Sequence, residues 1–235
     1  MNTSVQVISH FQLALAFIPV IVVLLMMVRW SLKAGFAVYA LIRMLIQLLL
    51  VGYVLTTVFA AEQSWIVMLV MLVMVSTASW IALGTVKDQR RALYPIVFIS
   101  ILLGSGLTLM LVTQGVIGLS PWYEPRYMIP LAGMIFANAM NSVSLAAERL
   151  SAELSRNIDF ITARYEAFQA AFIPTINSML AVGLVSLPGM MTGQILSGVS
   201  PITAAHYQIV VMCMIFGGSG LSIVFFLWLF KARMN

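Results

Sequence analysis

Residues 66–75 read Ile66-Val67-Met68-Leu69-Val70-Met71-Leu72-Val73-Met74-Val75, an apolar run without one polar interruption. An outer-membrane barrel strand alternates lipid-facing apolar residues with polar ones facing the lumen. This run alternates nothing, so it reads as a helix of the bilayer. Extended outward it covers Ser64–Val86, enough to cross a hydrocarbon core of about 30 Å.

The whole chain shares that character. Of 235 residues, 62% are hydrophobic and 8% charged, against about half and a quarter in a soluble domain. At about 20 residues per span, the apolar content fits about seven helices and leaves little for anything else. That excludes a soluble enzyme with a membrane tail, a disordered chain and a disulfide-stapled secreted domain. Cys213 is the only cysteine, so no intrachain disulfide forms. The expected fold is an all-α polytopic integral membrane protein, read as one permease-like domain over residues 1–235.

Seven spans are expected: Phe11–Val28, Ala34–Phe59, Ser64–Val86, Leu93–Gly115, Tyr127–Ala147, Phe172–Leu196 and Ala205–Phe230. Arg29, Lys33, Lys87, Arg90, Arg91, Arg149, Arg156, Arg164, Lys231 and Arg233 then fall on one side, and only Arg126 on the other. The positive-inside rule puts the N-terminus outside and the C-terminus in the cytoplasm. Met1–Gln12 has no basic residue, so no cleavable signal peptide is read there. Topology accounts for the net charge of +5, and no nucleic-acid partner is implied.

The one polar stretch is residues 148–169. Leu150, Leu154, Ile158, Ile161, Tyr165, Phe168 and Phe172 recur at steps of three and four, the period of an amphipathic helix. Arg149–Glu153 and Arg156–Asp159 sit at spacings where opposite charges support a helix. The chain must reverse here, with Asn157 and Asp159 as turn and cap residues. The segment lies on the membrane surface or docks into a cytoplasmic partner. In the second case Glu148, Arg149, Glu153, Arg156, Arg164 and Glu166 are the coupling candidates.

Polar groups inside spans are costly and so informative. Arg43 lies about 15 Å into the second span at 1.5 Å per residue, where arginine costs about 2.5–3.5 kcal/mol to insert. It should face protein or a watery cavity, as a structural or a gating residue, with Gln47 one turn further on. Asn138, Asn141, Ser142 and Ser144 make a stripe on the fifth span, which either glues helices together or lines a route. The sixth span carries Asn177, Ser178 and Ser186 before Pro188-Gly189. That pair should break the helix, and broken helices at membrane depth either kink for packing or line a cavity. Met190 and Met191 follow, and with Asn138 and Asn141 are expected beside the cavity.

Other chemistry is missing. Met68, Met71 and Met74 read as apolar filler more readily than as soft-metal ligands. His10 and His206, with Glu62 or Glu124, lack a metal-ligand spacing. Gly217-Gly218-Ser219-Gly220 has no later histidine to activate its serine and reads as close helix packing. No G-x-x-x-x-G-K-[ST] motif is present, so the chain binds no ATP by a P-loop.

The run Ile173-Pro174-Thr175-Ile176-Asn177-Ser178-Met179, then Val182-Gly183-Leu184-Val185-Ser186-Leu187-Pro188-Gly189-Met190-Met191-Thr192-Gly193-Gln194-Ile195-Leu196, resembles the permease subunit of Fet-type (FetB-like) iron-export ABC transporters. Pro201 and Tyr207-Gln208-Ile209 continue the likeness. So do Arg43, Gln47, Leu48, Gly52, Tyr53 and Leu55, and also Ile129–Ile135, Asn138-Ala139-Met140 and Ser144-Leu145. The resemblance implies a bacterial inner-membrane permease, dimeric, paired with a cytoplasmic ATPase that binds the ATP and exporting iron or another metal. It implies no cofactor in this chain. Plant relatives are linked to aluminium tolerance and, in one case, to a nucleotide sugar, so a non-metal substrate is the alternative. A stand-alone secondary transporter or channel, or a structural scaffold, is the other. The chain departs from the family pattern by lacking the Leu-Gly-Ala-(Ser/Thr)-Pro segment that precedes the Ile-Pro in relatives.

Overall fold

The computed structural model describes residues 9–59 and 63–234, apart from the Thr57 side chain. Those residues form nine α-helices: α1 His10–Leu15, α2 Ile18–Arg29, α3 Ala34–Phe59, α4 Ser64–Ala82, α5 Arg90–Met110, α6 Pro125–Ser155, α7 Phe160–Ala181, α8 Gly189–Leu196 and α9 Pro201–Met234. A π-helical stretch, Leu111–Ile117, prolongs α5. The chain divides into two compact units, residues 1–60 and 61–235.

In the first unit a short break at Ala16-Phe17 separates α1 from α2. Pro19 sits in the first turn of α2, where its missing N–H costs nothing. Ser31, with φ 55°, helps turn the chain back so that α3 packs on α2. No residue of the apolar windows in either helix is buried.

The second unit is a helical bundle. Helix α9 packs on α5, α6, α7 and α8, and α6 packs on α4, α5 and α7. Its core is small-residue rich where helices touch most closely. Gly104 of α5 lies against Ser222 of α9, and Gly218 of α9 against Ile135 of α6. Ser105 and Ser222 share a hydrogen bond of 3.1 Å across α5 and α9. Close approach through glycine and serine is how helices gain packing energy where water cannot drive them together. It also gives Gly217–Gly220 the packing role read from its sequence.

Six helical stretches are long and apolar enough to cross a bilayer, where the sequence counts seven. The odd one is the expected sixth span, Phe172–Leu196. It is not one helix: α7 stops at Ala181, residues 182–188 are irregular, and α8 restarts at Gly189. The break comes earlier than Pro188-Gly189 alone would place it, because Gly183 takes a left-handed φ of 83°. Pro188 instead stands as the residue before α8, with φ −62° and ψ 146°.

One end of this bundle gathers the basic residues. Arg90 donates to the Trp80 carbonyl from Nε at 3.1 Å and from Nη2 at 2.6 Å, and its guanidinium lies 3.9 Å from the Trp80 ring centroid. Arg233 donates to the Ala92 carbonyl, and Lys231 stands over the Phe160 ring. The ends of α4 and α9 and the starts of α5 and α7 therefore meet. Lys87, Arg91, Arg149, Arg156 and Arg164 belong to the same end by connectivity, and Arg126 opens α6 at the other. The sorting of basic residues counted along the sequence is thus present in three dimensions within this unit.

Candidate functional site

The polar hairpin is the best-defined feature. Helix α6, with 31 residues, is about 46 Å long at 1.5 Å per residue, so it outruns a core of about 30 Å. Its last turns carry Glu148, Arg149, Glu153 and Arg156. Asn157 turns the chain at φ 61°. Asp159 caps α7, accepting from the Thr162 backbone N–H at 2.9 Å and its hydroxyl at 2.7 Å. Those two bonds from Thr162 hold the Asp159 carboxyl below the usual carboxylate range. Turn and cap fall on the residues the sequence marks for them.

Ion pairs brace this hairpin. Arg149 Nη2 meets Glu153 Oε1 at 2.9 Å on its own helix and Glu166 Oε2 on α7 at 3.7 Å. Arg156 Nη1 lies 3.6 Å from the same Glu153 oxygen. Glu153 is only 6% exposed, so its charge needs these partners. Glu148 is exposed. Arg164 stands apart from this network: it lines a pocket between α7 and α9 with Lys231.

The intramembrane candidates spread over both units. In the first, Arg43 and Gln47 pair along α3. With the Gln47 amide oxygen turned to Arg43, it accepts from Nε at 3.0 Å and Nη2 at 3.2 Å. In the second, Asn138 Nδ2 donates to the Met134 carbonyl of its own helix at 2.8 Å. Ser142 is buried, while Asn141 is exposed, so the polar stripe is not one continuous lining. Asn177 and Ser186 are exposed, as is Gly189, whereas Pro188, Met190 and Met191 are half-buried.

The break itself is rich in free acceptors. The Ala181 carbonyl takes the N–H groups of Leu184, Val185 and Ser186, and the Ser186 carbonyl takes that of Gly183. The carbonyls of Val182, Gly183, Leu184, Val185 and Leu187 accept no backbone hydrogen bond. Nearby, the side-chain oxygens of Gln194 on α8 and Gln208 on α9 are buried without a partner. The sequence reading passed over both glutamines because each falls in the middle of a helical pattern.

A larger cavity, about 870 Å³, lies among α4, α5 with its π-helical end, and α6. Its lining includes Trp65, Met68, Met71, Met110, Thr113, Gln114, Trp122 and Met128. Neither the stripe nor Met190 and Met191 line it. Only Thr113 and Gln114 distinguish that wall from ordinary lipid-facing surface, so no sequence signal marks it. Among the described residues no group of three or more His, Cys, Asp or Glu could hold a metal. Glu62, weighed above as a partner of the histidines, lies outside the described residues.

The model of the Uncharacterised protein family UPF0014 matches residues 10–165 and 161–234. The chain belongs to this family. The two matched stretches meet in the first turns of α7, just past the hairpin, where the sequence lacks the family's extra segment. The family includes a probable iron export permease protein, FetB, of Escherichia coli. It is 33% identical over 234 residues, covering 92% of this chain and 88% of that protein. A UPF0014 membrane protein of Synechocystis is 37% identical over 188 residues, 74% of this chain and 73% of its own. Protein ALUMINUM SENSITIVE 3 of Arabidopsis thaliana is 34% identical over 203 residues, 80% and 73% of the two chains. No solved structure matches. Family and helices together make this a multi-pass membrane protein.

Proposed function

We propose that this chain is the permease subunit of an ABC exporter in a bacterial inner membrane, moving iron or another metal. The observation that carries the reading is its nearly end-to-end similarity to a probable iron export permease. The chain performs no covalent chemistry. A separate cytoplasmic ATPase binds and hydrolyses ATP, and two permease copies complete the assembly.

The hairpin is the lever in this reading. Glu148, Arg149, Glu153, Arg156 and Glu166 form a stiff charged knob at the basic end of the bundle. A rigid body that is cross-braced between two helices transmits a push without absorbing it. Helix α7 leads from that knob to the break at residues 182–188, where free carbonyls, Ser186 and the Pro188-Gly189 start of α8 offer polar contacts to cargo. Asn138, Asn141, Asn177, Met190 and Met191 are the neighbouring route candidates. Arg43 and Gln47 contribute a charged pair from the first unit.

The test replaces residues 149–164 with a short Gly-Ser linker and co-expresses the permease with its ATPase. The spans should still insert, and the ATPase should no longer co-purify. Full-yield co-purification would place the docking surface elsewhere.

A further inference from the structure

Helices α7 and α9 enclose a pocket of about 340 Å³ at the basic end of the bundle. Its lining divides by chemistry. Arg164 and Lys231 supply two cations; Phe160, Phe168, Val224 and Leu227 supply apolar surface; Tyr165 and Trp228 supply amphipathic rings. Neither Arg164 nor Lys231 makes an ion pair among the described residues. The acids around them are committed elsewhere. Glu166 faces Arg149 of α6, Glu153 is shared by Arg149 and Arg156, and Asp159 caps α7. The pocket is therefore a cationic mouth over an apolar floor.

Its level in the bundle matters as much. Along α9 the apolar run ends at Phe230 and charge begins at Lys231, the pattern of a helix leaving hydrocarbon for headgroups. Trp228 is 66% exposed and Tyr165 65%, the placement of rings that sit in the interfacial belt. Basic pockets between transmembrane helices at this level suit anionic lipid headgroups.

We propose that this pocket binds one anionic phospholipid, its phosphate held by Arg164 and Lys231 and its glycerol and upper acyl carbons against Phe168, Val224 and Trp228. A free phosphate satisfies the two cations but leaves the apolar wall unused. A bound lipid here bridges α7 to α9 directly below the hairpin, and so ties the lever to the last helix of the bundle.

Native mass spectrometry of the intact protein, exchanged into mixed phosphatidylglycerol and phosphatidylcholine, reads the site directly. The wild type should retain one phosphatidylglycerol in preference to phosphatidylcholine. Lys231→Gln and Arg164→Gln should each lower that preference about fivefold, the effect of one basic residue near a membrane surface. Val224→Phe fills the pocket without changing charge and should lower it too. Arg91→Gln removes a charge from the same end outside the pocket and should leave it unchanged. Millimolar inorganic phosphate should not displace the lipid. Three results would overturn the proposal: an equal loss in Arg91→Gln, an undiminished preference in Val224→Phe, or displacement by phosphate, which would make the site a simple anion site.

Discussion

Gly104→Ala should loosen the bundle at its tightest seam. A methyl group built on Gly104 lands 2.6 Å from Ser222 Oγ and 2.7 Å from Ser222 Cα, and it also meets the Ser222 backbone nitrogen. Ordinary contact begins near 3.4 Å, so α5 and α9 must part by about 0.8 Å, since backbone atoms cannot swing aside as a side chain would. Overpacking of this kind costs about 1–3 kcal/mol. The same shift stretches the Ser105–Ser222 hydrogen bond, worth about 0.6 and at most about 1.7 kcal/mol between membrane helices. Alanine returns up to about 1 kcal/mol of helix propensity. Gly106→Ala is the control, because its methyl meets only Leu102 Cδ1 at 3.8 Å and so keeps the propensity gain without the clash. Unfolding in detergent should show Gly104→Ala about 2–4 kcal/mol below Gly106→Ala. Equal stability of the two variants would refute the packing argument.

Gly183→Ala should destabilise the break by about 1–2 kcal/mol, because φ of 83° costs an L-residue that much; detergent unfolding checks it. Glu153→Ala leaves Arg149 and Arg156 without their shared carboxylate and should cost about 1–2 kcal/mol, reduced from the fully buried case because both arginines reach water. Its signature is faster amide exchange across both helices of the hairpin. Asp159 has a lowered folded pKa, so its capping contribution is complete above the unfolded carboxylate pKa and fades as pH falls through the folded value. Amide exchange at Thr162 should accelerate only in that acidic window, and in Asp159→Ala at every pH. Replacing Pro188 and Gly189 together with alanine should spare insertion and ATPase binding while lowering transport, measured by cargo flux in vesicles.

Much of this molecule is legible in its sequence because the bilayer leaves few options. Continuous apolar runs such as Ile66–Val75 can only be helices, and the sorting of basic residues orders their ends. Asn157 and Asp159 mark the hairpin turn because left-handed backbone and N-capping favour those residue types locally. The interruption of the sixth span was legible as a break but not in its extent. Pro188-Gly189 is the visible punctuation, whereas Gly183, five residues earlier, sets where α7 ends. Less could be read of the site. Gln194 and Gln208 look like any polar residue in a helix until packing buries them. The α4–α5–α6 cavity and the Arg164–Lys231 pocket exist only once distant helices meet. Asn138 spends its amide on its own helix, a local bond that spacing alone does not reveal.

The central claim is that this chain conducts a metal under the drive of a separate ATPase. Proteoliposomes holding the permease and that ATPase, given ATP on the ATPase side, should move iron or another metal ion away from that side. Movement should stop without hydrolysable ATP and in the hairpin-replacement variant. Metal flux of the same rate from permease alone, without ATPase or ATP, would contradict the account and leave a stand-alone carrier or channel.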